Sequence, residues 1–339
     1  RLQWPPNVHV WPGTPRRPLN MVWICLPLRK PSWRRKTSSG VPNNTAQGGS
    51  LPLLSWGQIG CCFWNARALQ HHVKSIRDRK VTEIWKLCKE FQIIGLAEAH
   101  GCPISLRISL ARCLRSHDLF CSHARDINGN LLSTLGGVCV LVAKTLFAPP
   151  ILSPNVVFQD LHAGRAVQVG VQKADGTKRF DVFFVHNYGF DALSTSTLIS
   201  QINSQRILCV SQPEKHSMAL MGDFNIEQKG SMRVSLLDAS SLSRLIPPLS
   251  LPRPFENKWN KLFDLMVELD FPFPSHVNSS TLMLSRINRI FLGLPKSSLP
   301  LVKICSGVKK DPTWFEGCGL SDHAPVFFNV DTSMKKPPT

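Results

Sequence analysis

The sequence predicts an α/β protein built on mixed sheets, and three observations carry that prediction. Apolar runs of strand length alternate with helical periodicities along residues 59–331. Val167, Val169 and Val171 alternate toward the turn pair Asp175-Gly176, and residues 180–185 return as an apolar run, which reads as a hairpin. A hairpin inside an alternating strand–helix pattern rules out a purely parallel sheet. No segment repeats itself along the chain.

Taken in order, residues 59–64 read as a short buried strand. Val73, Ile76, Ile84, Leu87, Cys88 and Phe91 then recur at near-helical spacing, with Arg77, Lys80, Lys86 and Lys89 among the polar positions between them. Residues 93–97 form a second strand ending at Glu98, and a helix is expected over 104–116. Gly136-Gly137 opens a strand at 138–143. After the hairpin, a helix over 198–210 leads to a strand at 218–221, and further strands are expected at 281–284, 287–292 and 325–330. Residues 1–58 differ in texture. Residues 1–57 hold nine of the 26 prolines and five of the nine tryptophans, with no lasting period of 2 or 3.6. Residues 1–58 therefore read as a basic, Pro-rich arm without a core of its own, residues 59–331 as the domain, and 332–339 as a tail. The chain begins at Arg rather than Met, which fits a piece of a longer reading frame.

Forty Lys and Arg against 22 Asp and Glu give a net charge of +18, which points to a polyanionic partner or a membrane surface. Residues 1–57 carry eight Lys or Arg, and the first acidic residue is Asp78. Arg29, Lys30, Arg34, Arg35 and Lys36 form a basic cluster suited to phosphate or to a nuclear address. No apolar run approaches the roughly 18 residues that a membrane span needs, so no integral membrane association is expected. The eleven cysteines are odd in number and scattered, without a CxxC pair. They read as reduced thiols in an intracellular compartment, nuclear or cytoplasmic. Cys121 and His123 offer two metal donors, but a strand end followed by a loop histidine is the simpler account.

Polar residues gather where strands end. Asn65 follows the first strand and Glu98 the second; His186, Asn187 and Tyr188 follow the hairpin; Asp223 and Asn225 follow residues 218–221; Asp322 and His323 precede the last strand. Strand ends are where a rigid scaffold presents groups into a shared cleft. Glu98, Asp223 and Asp322 are hard oxygen donors of the kind Mg²⁺ takes alongside waters and a phosphate. His323 can hydrogen-bond a phosphoryl oxygen or move a proton, while Asn65, Asn225 and Tyr188 are neutral groups able to orient water.

These residues resemble the endonuclease/exonuclease/phosphatase superfamily in FWNAR (63–67), GLAEAH (95–100), VHNYG (185–189), MGDFNI (221–226), SRINRIFL (285–292) and SDHAPV (321–326), all in family order. GGVCVLV (136–142) is similar to a core strand of endonuclease domains from LINE-type (non-LTR) retrotransposons. The resemblance implies a four-layered α/β sandwich, two packed mixed sheets flanked by helices, and a Mg²⁺- or Mn²⁺-dependent phosphodiesterase that nicks DNA. It implies Glu98, Asn65 and Asp322 at the metal, Tyr188 at the scissile phosphate, Asp223 and Asn225 at the attacking water, and His323 at the transition state. A reverse transcriptase downstream is the further expected partner. The alternatives are an apurinic-site repair endonuclease, a phosphatase of inositol lipids or sphingomyelin, and a catalytically impaired nucleic-acid-binding remnant. Asn288 is the departure: the family usually has an aspartate there, so the histidine's second ring nitrogen is expected to lack an anionic partner.

Overall fold

The computed structural model describes residues 58–147, 156–172, 177–226, 234–235, 255–270, 275–278, 283–294, 303–309 and 320–331. The expectations for the arm, the tail and the turn at Asp175-Gly176 lie outside the described residues. Among the described residues, two six-stranded mixed sheets, a small three-stranded sheet and four α-helices make up the fold.

The first sheet begins with β1 (Gln58–Asn65), paired in parallel with β2 (Ile93–Ala97). It is completed by β3 (His117–Ser122), β4 (Val138–Ala143), β14 (Lys303–Val308) and β15 (Val326–Asp331), in the order β14-β15-β1-β2-β4-β3. The second sheet holds the expected hairpin as β6 (Ala166–Gln172) and β7 (Arg179–His186), antiparallel to each other. With β5 (Val156–His162), β8 (His216–Asp223), β10 (Val267–Glu268) and β13 (Asn288–Leu292) it runs β10-β13-β8-β7-β6-β5. A small third sheet joins β11 (His276–Asn278), β12 (Met283–Ser285) and β9 (Val234–Ser235) in that spatial order.

The central strands are covered on both faces, which is why they read as unbroken apolar runs: every residue of β2 and β4 is buried. Between the sheets, Phe63 and Phe184 stack at 6.2 Å, and the Phe184 ring lies where a Cβ on Gly95 would be, 2.1 Å from its Cδ1. Gly95 is therefore a packing requirement rather than a turn residue. The helix α1 (Lys74–Leu87) buries Ile84 and Leu87, and α2 (Pro103–Ser109) buries Leu106, in the core of the first sheet. The second sheet is covered by α3 (Ala192–Ser211) and α4 (Glu256–Phe263), whose Leu198, Ile202, Trp259, Leu262 and Phe263 share a cluster with Phe224 and Phe291.

Two helical expectations need correction. The helix expected over 104–116 stops at Ser109, and a short 3₁₀ turn, Cys113–Arg115, follows. Lys80, read as a polar position between apolar ones, is buried at 1% exposure in line with Ile84 and Leu87. The edge strands β5 and β14 were not expected from the sequence, because an edge strand mixes exposed polar residues into its run, whereas β3 ends beside Cys121 as the strand end read there.

Candidate active site

The C-terminal ends of β1, β2, β7 and β8 converge with the start of β13 and the residues before β15. Register sets the arrangement. In the second sheet, His186 of β7 pairs with Asp223 of β8, and Asp223 pairs with Asn288 of β13. Directly opposed residues point to the same face, so these three side chains form a row. In the first sheet, Asn65 of β1 pairs with Ala97, and Glu98 follows one residue later. The chain turns sharply at these ends: Arg67, Ala68, Glu98, His100 and Asn225 all have positive φ, at 42°, 59°, 50°, 53° and 52°. Such backbone costs about 1–3 kcal/mol per residue and clusters where function demands it.

Asn65 ties the two sheets' carboxylates together. Its Nδ2 donates to Glu98 Oε1 and to Asp223 Oδ2, both at 3.0 Å, while its Oδ1 accepts from the Arg67 N–H at 3.0 Å. Glu98 Oε1 also faces His186 Nε2 at 3.3 Å, and Arg165 Nη1 lies 3.0 Å from His186 Nδ1. A guanidinium only donates, so His186 Nδ1 accepts and Nε2 carries the hydrogen aimed at Glu98. Burial by itself would raise the Glu98 carboxyl, but the hydrogen bonds that it accepts from His186 and Asn65 outweigh it and hold the group down at about 2. No hydrogen-bond partner for Oε2 occurs among the described residues.

Asp223 is buried at 1% exposure, its Oδ1 accepting from the Asn225 N–H at 3.1 Å and its Oδ2 lying 3.6 Å from His323 Nε2. Asn225 Nδ2 donates to the Asn187 carbonyl at 3.3 Å, and Asn187 Nδ2 donates to the Phe224 carbonyl at 2.7 Å. Beneath them, Phe224 packs edge-on against Trp259, Phe263 and Phe291 at 5.3, 5.0 and 5.8 Å. The apolar residue inside GDFN thus anchors the loop that carries its two polar ones.

His323 is held from three sides. Its carbonyl accepts from Trp64 Nε1 at 3.0 Å, its N–H donates to Ser321 Oγ at 3.1 Å, and Ser321 Oγ donates to the Asn65 carbonyl at 2.7 Å. Asn288, fully buried, donates from Nδ2 to the Ala324 carbonyl at 3.4 Å and presents Oδ1 to His323 Nδ1 at 3.1 Å. That oxygen can only accept, so Nδ1 carries a hydrogen and Nε2 faces the cleft. Asp322 Oδ2 pairs with Arg67 Nη1 at 2.7 Å, whereas its Oδ1 is buried without a hydrogen-bond partner among the described residues.

The eight sequence-predicted residues are not placed alike. Asn65, Glu98, Asp223, Asn288 and His323 share one network, with Asp322 beside it and Asn225 bonded at its rim. Tyr188 is 63% exposed and meets the site through His186, on which it stacks at 5.9 Å. His186, placed by the sequence at a strand end, joins the site, and so do Arg165, Arg67, Lys80 and His276, which the sequence did not place in it. Lys80 reaches from α1 to donate to the carbonyls of Ala66, Arg67 and Ala68 at 2.7, 2.5 and 3.1 Å, fastening the turn that follows Asn65. Burial and then Arg67 lower its ammonium to about 8, against the opposing pull of Glu98 and Asp322. Its signal was present in sequence: a lysine at the apolar step between Ile76 and Ile84. His276 Nε2 lies 3.9 Å from Asp322 Oδ2, and burial with neighbouring His323 lowers it to about 4.

No protein-family model and no curated protein matches this sequence. Solved structures do match. An endonuclease/exonuclease/phosphatase from Bacteroides vulgatus is 16% identical, over 81% of this chain and 98% of that one, with a TM-score of 0.50. The AP endonuclease LMAP from Leishmania major is 9% identical, over 81% of this chain and 88% of that one, at 0.55. The endonuclease domain of TRAS1, a telomere-specific non-LTR retrotransposon, is 12% identical over 82% of this chain and all of that one, at 0.48. At these identities the first two establish architecture alone: the chain has the endonuclease/exonuclease/phosphatase fold.

Proposed function

We propose that the chain is a divalent-metal-dependent phosphodiesterase that nicks DNA. The observation that carries the reading is the Asn65 amide holding Glu98 and Asp223 together, with His323 Nε2 facing Asp223 at 3.6 Å. The donors fit a hard cation: Glu98 is held as the carboxylate with Oε2 free of partners among the described residues, and Asp322 Oδ1 is an orphaned buried oxygen. Glu98 would be the principal ligand, with Asp322 contributing and Asn65 orienting Glu98. Mg²⁺ or Mn²⁺ bound there would neutralise charge on the phosphate.

The chain's own residues supply the rest. Asp223, its Oδ1 fixed by the Asn225 backbone, takes the proton from the attacking water at Oδ2. Asn225, fixed by its side-chain bond to Asn187, orients that water. His323 Nε2 meets a non-bridging phosphoryl oxygen, with Nδ1 held by Asn288. Tyr188, exposed above His186, contacts the scissile phosphate. Water oxygen bonds to phosphorus, the bond to the 3′ oxygen breaks, and that oxygen takes a proton from solvent water, so the products are a 3′-hydroxyl and a 5′-phosphate. The net charge of +18 favours a polyanionic substrate. A LINE-type retrotransposon origin, with a reverse transcriptase downstream, is supported by the GGVCVLV strand β4 and the basic residues 1–57.

Nicking of supercoiled plasmid with and without Mg²⁺ tests the reading. Glu98→Gln, Asp223→Asn and His323→Ala are each expected to lower the metal-dependent rate by roughly 10² or more. Wild-type-like nicking by any one variant removes that residue from the mechanism, and an inactive wild-type chain rejects the enzyme.

A further inference from the structure

We infer a transition-metal site, selective for a Zn²⁺-class ion, formed by His276, Asp322 and His323, the last two shared with the centre proposed above. The three ligand atoms lie within 4.8 Å of one another. Two ligand atoms each about 2.1 Å from a tetrahedral ion are separated by about 3.4 Å, so rotation of the imidazoles and the carboxylate closes the set. The backbone already joins the ligands: His276 of β11 forms an isolated β-bridge with His323, and their rings lie 4.6 Å apart.

The hydrogen-bond pattern around these groups is that of a metal site's outer partners. Each histidine spends Nδ1 on a protein oxygen, His323 on Asn288 Oδ1 at 3.1 Å and His276 on Ser285 Oγ at 3.0 Å. Each turns Nε2 toward Asp322, at 3.7 Å to Oδ1 and 3.9 Å to Oδ2 respectively. Metal-bound histidines are oriented in this way, with the second nitrogen donating to a neutral or anionic oxygen. Between them, Asp322 Oδ1 is buried and unpartnered, although a buried carboxylate oxygen ordinarily finds a donor. His323 itself is 5% exposed. A cation among these atoms gives Asp322 Oδ1 the partner that it lacks among the described residues and uses the nitrogen that Asn288 leaves facing the cleft.

Two imidazoles with one carboxylate select against Mg²⁺, which takes oxygen ligands, and suit Zn²⁺ with further positions open to water or a phosphoryl oxygen. Asn288 gains a different meaning in this setting. A neutral amide acceptor fixes the histidine's ring as a ligand without adding a further anion beside Asp322 and Asp223. The ion would occupy the same Nε2 that meets phosphate in the proposed reaction and the same Asp322 oxygen offered there to Mg²⁺, so the two are alternative uses of these atoms. The inference does not depend on the substrate.

Titration of the full chain with Co²⁺, followed by its visible ligand-field bands and by competition with Zn²⁺, tests the site. One ion per chain is expected, displaced by Zn²⁺ and not by millimolar Mg²⁺. His276→Ala should weaken binding by roughly 100-fold or more, and Ser285→Ala by about 10- to 100-fold, the range for loss of an outer partner. Glu98→Gln should leave the bands unchanged, which separates this site from the carboxylate of the proposed reaction. Circular dichroism establishes that each variant is folded, and Ser285→Ala serves if His276→Ala is not. Absence of stoichiometric Co²⁺ binding overturns the inference. Undiminished binding in a folded His276→Ala, or in Ser285→Ala where His276→Ala fails to fold, overturns it as well, as does binding lost with Glu98→Gln.

Discussion

Asn288 is the residue whose meaning changes most between sequence and structure. Its position beside a histidine's second nitrogen was implied by resemblance, and the 3.1 Å approach to His323 Nδ1 gives it a definite geometry. Asn288→Asp would place a carboxylate against that nitrogen but would lose the Nδ2 donation to the Ala324 carbonyl. Nicking should rise about 10-fold to 10³-fold, within the range of general acid–base contributions. Stability should fall by about 1–3 kcal/mol, because a buried acceptor loses its donor. Paired measurements of rate and urea midpoint check both halves; unchanged nicking removes the requirement for an anion at this position. Glu98 carries a second residue-scale prediction. Its carboxyl is depressed to about 2 when folded, against an unfolded value of about 4.3, so its contribution is fully present above the unfolded value. As pH falls below about 4.3 toward 2, the folded state gives up that contribution while the unfolded chain binds the proton more readily. Thermal unfolding of the wild type should therefore decline more steeply over this acid range than that of Glu98→Gln. Parallel curves would mean that His186 does not hold the carboxylate down.

At the scale of the element, α1 does more than cover a sheet. Its buried face runs Lys80, Ile84, Leu87, and the lysine's ammonium gathers three successive carbonyls of the turn that carries Arg67 and Ala68 at positive φ. Lys80→Met keeps the stem's volume and removes the donors. The expected result is a loss of about 2–4 kcal/mol, read as a lower urea midpoint at unchanged slope, since unsatisfied buried carbonyls cost about 1–3 kcal/mol each and partial relaxation offsets some of it. Nicking should fall with it, because the turn sets Asn65 between Glu98 and Asp223. A neutral effect would mean that solvent satisfies the three carbonyls. The helix itself was legible as a period of 3.6, and so was the lysine's place on its apolar step; what the ammonium binds was not, because sequence periodicity does not say which backbone groups await a donor. The helix α4 was missed for a different reason. It has only eight residues, and its Trp259, Leu262 and Phe263 make sense once Phe224 and Phe291 provide the surface they pack on.

For the whole molecule, charge gives the testable consequence. Removing residues 1–57 takes away eight of the 40 Lys and Arg without removing any acidic group. The shortened chain should fold, because the described core begins in β1, and its DNA affinity should be lower with a shallower salt dependence. Each phosphate that is no longer neutralised reduces the slope by roughly 0.9. Failure of the shortened chain to fold would make those residues structural. The sequence by itself determined the alternation of strands and helices, the hairpin β6–β7, the buried central strands and the strand-end residues, because each is written in local period or in short contiguous stretches. Only tertiary structure decided the edge strands, the pairing of Asn65 with carboxylates 33 and 158 residues away, and the approach of His276 to Asp322 and His323. Those features depend on which strands become neighbours and in what register. Register is settled by packing two sheets face to face, a condition no local stretch of sequence contains.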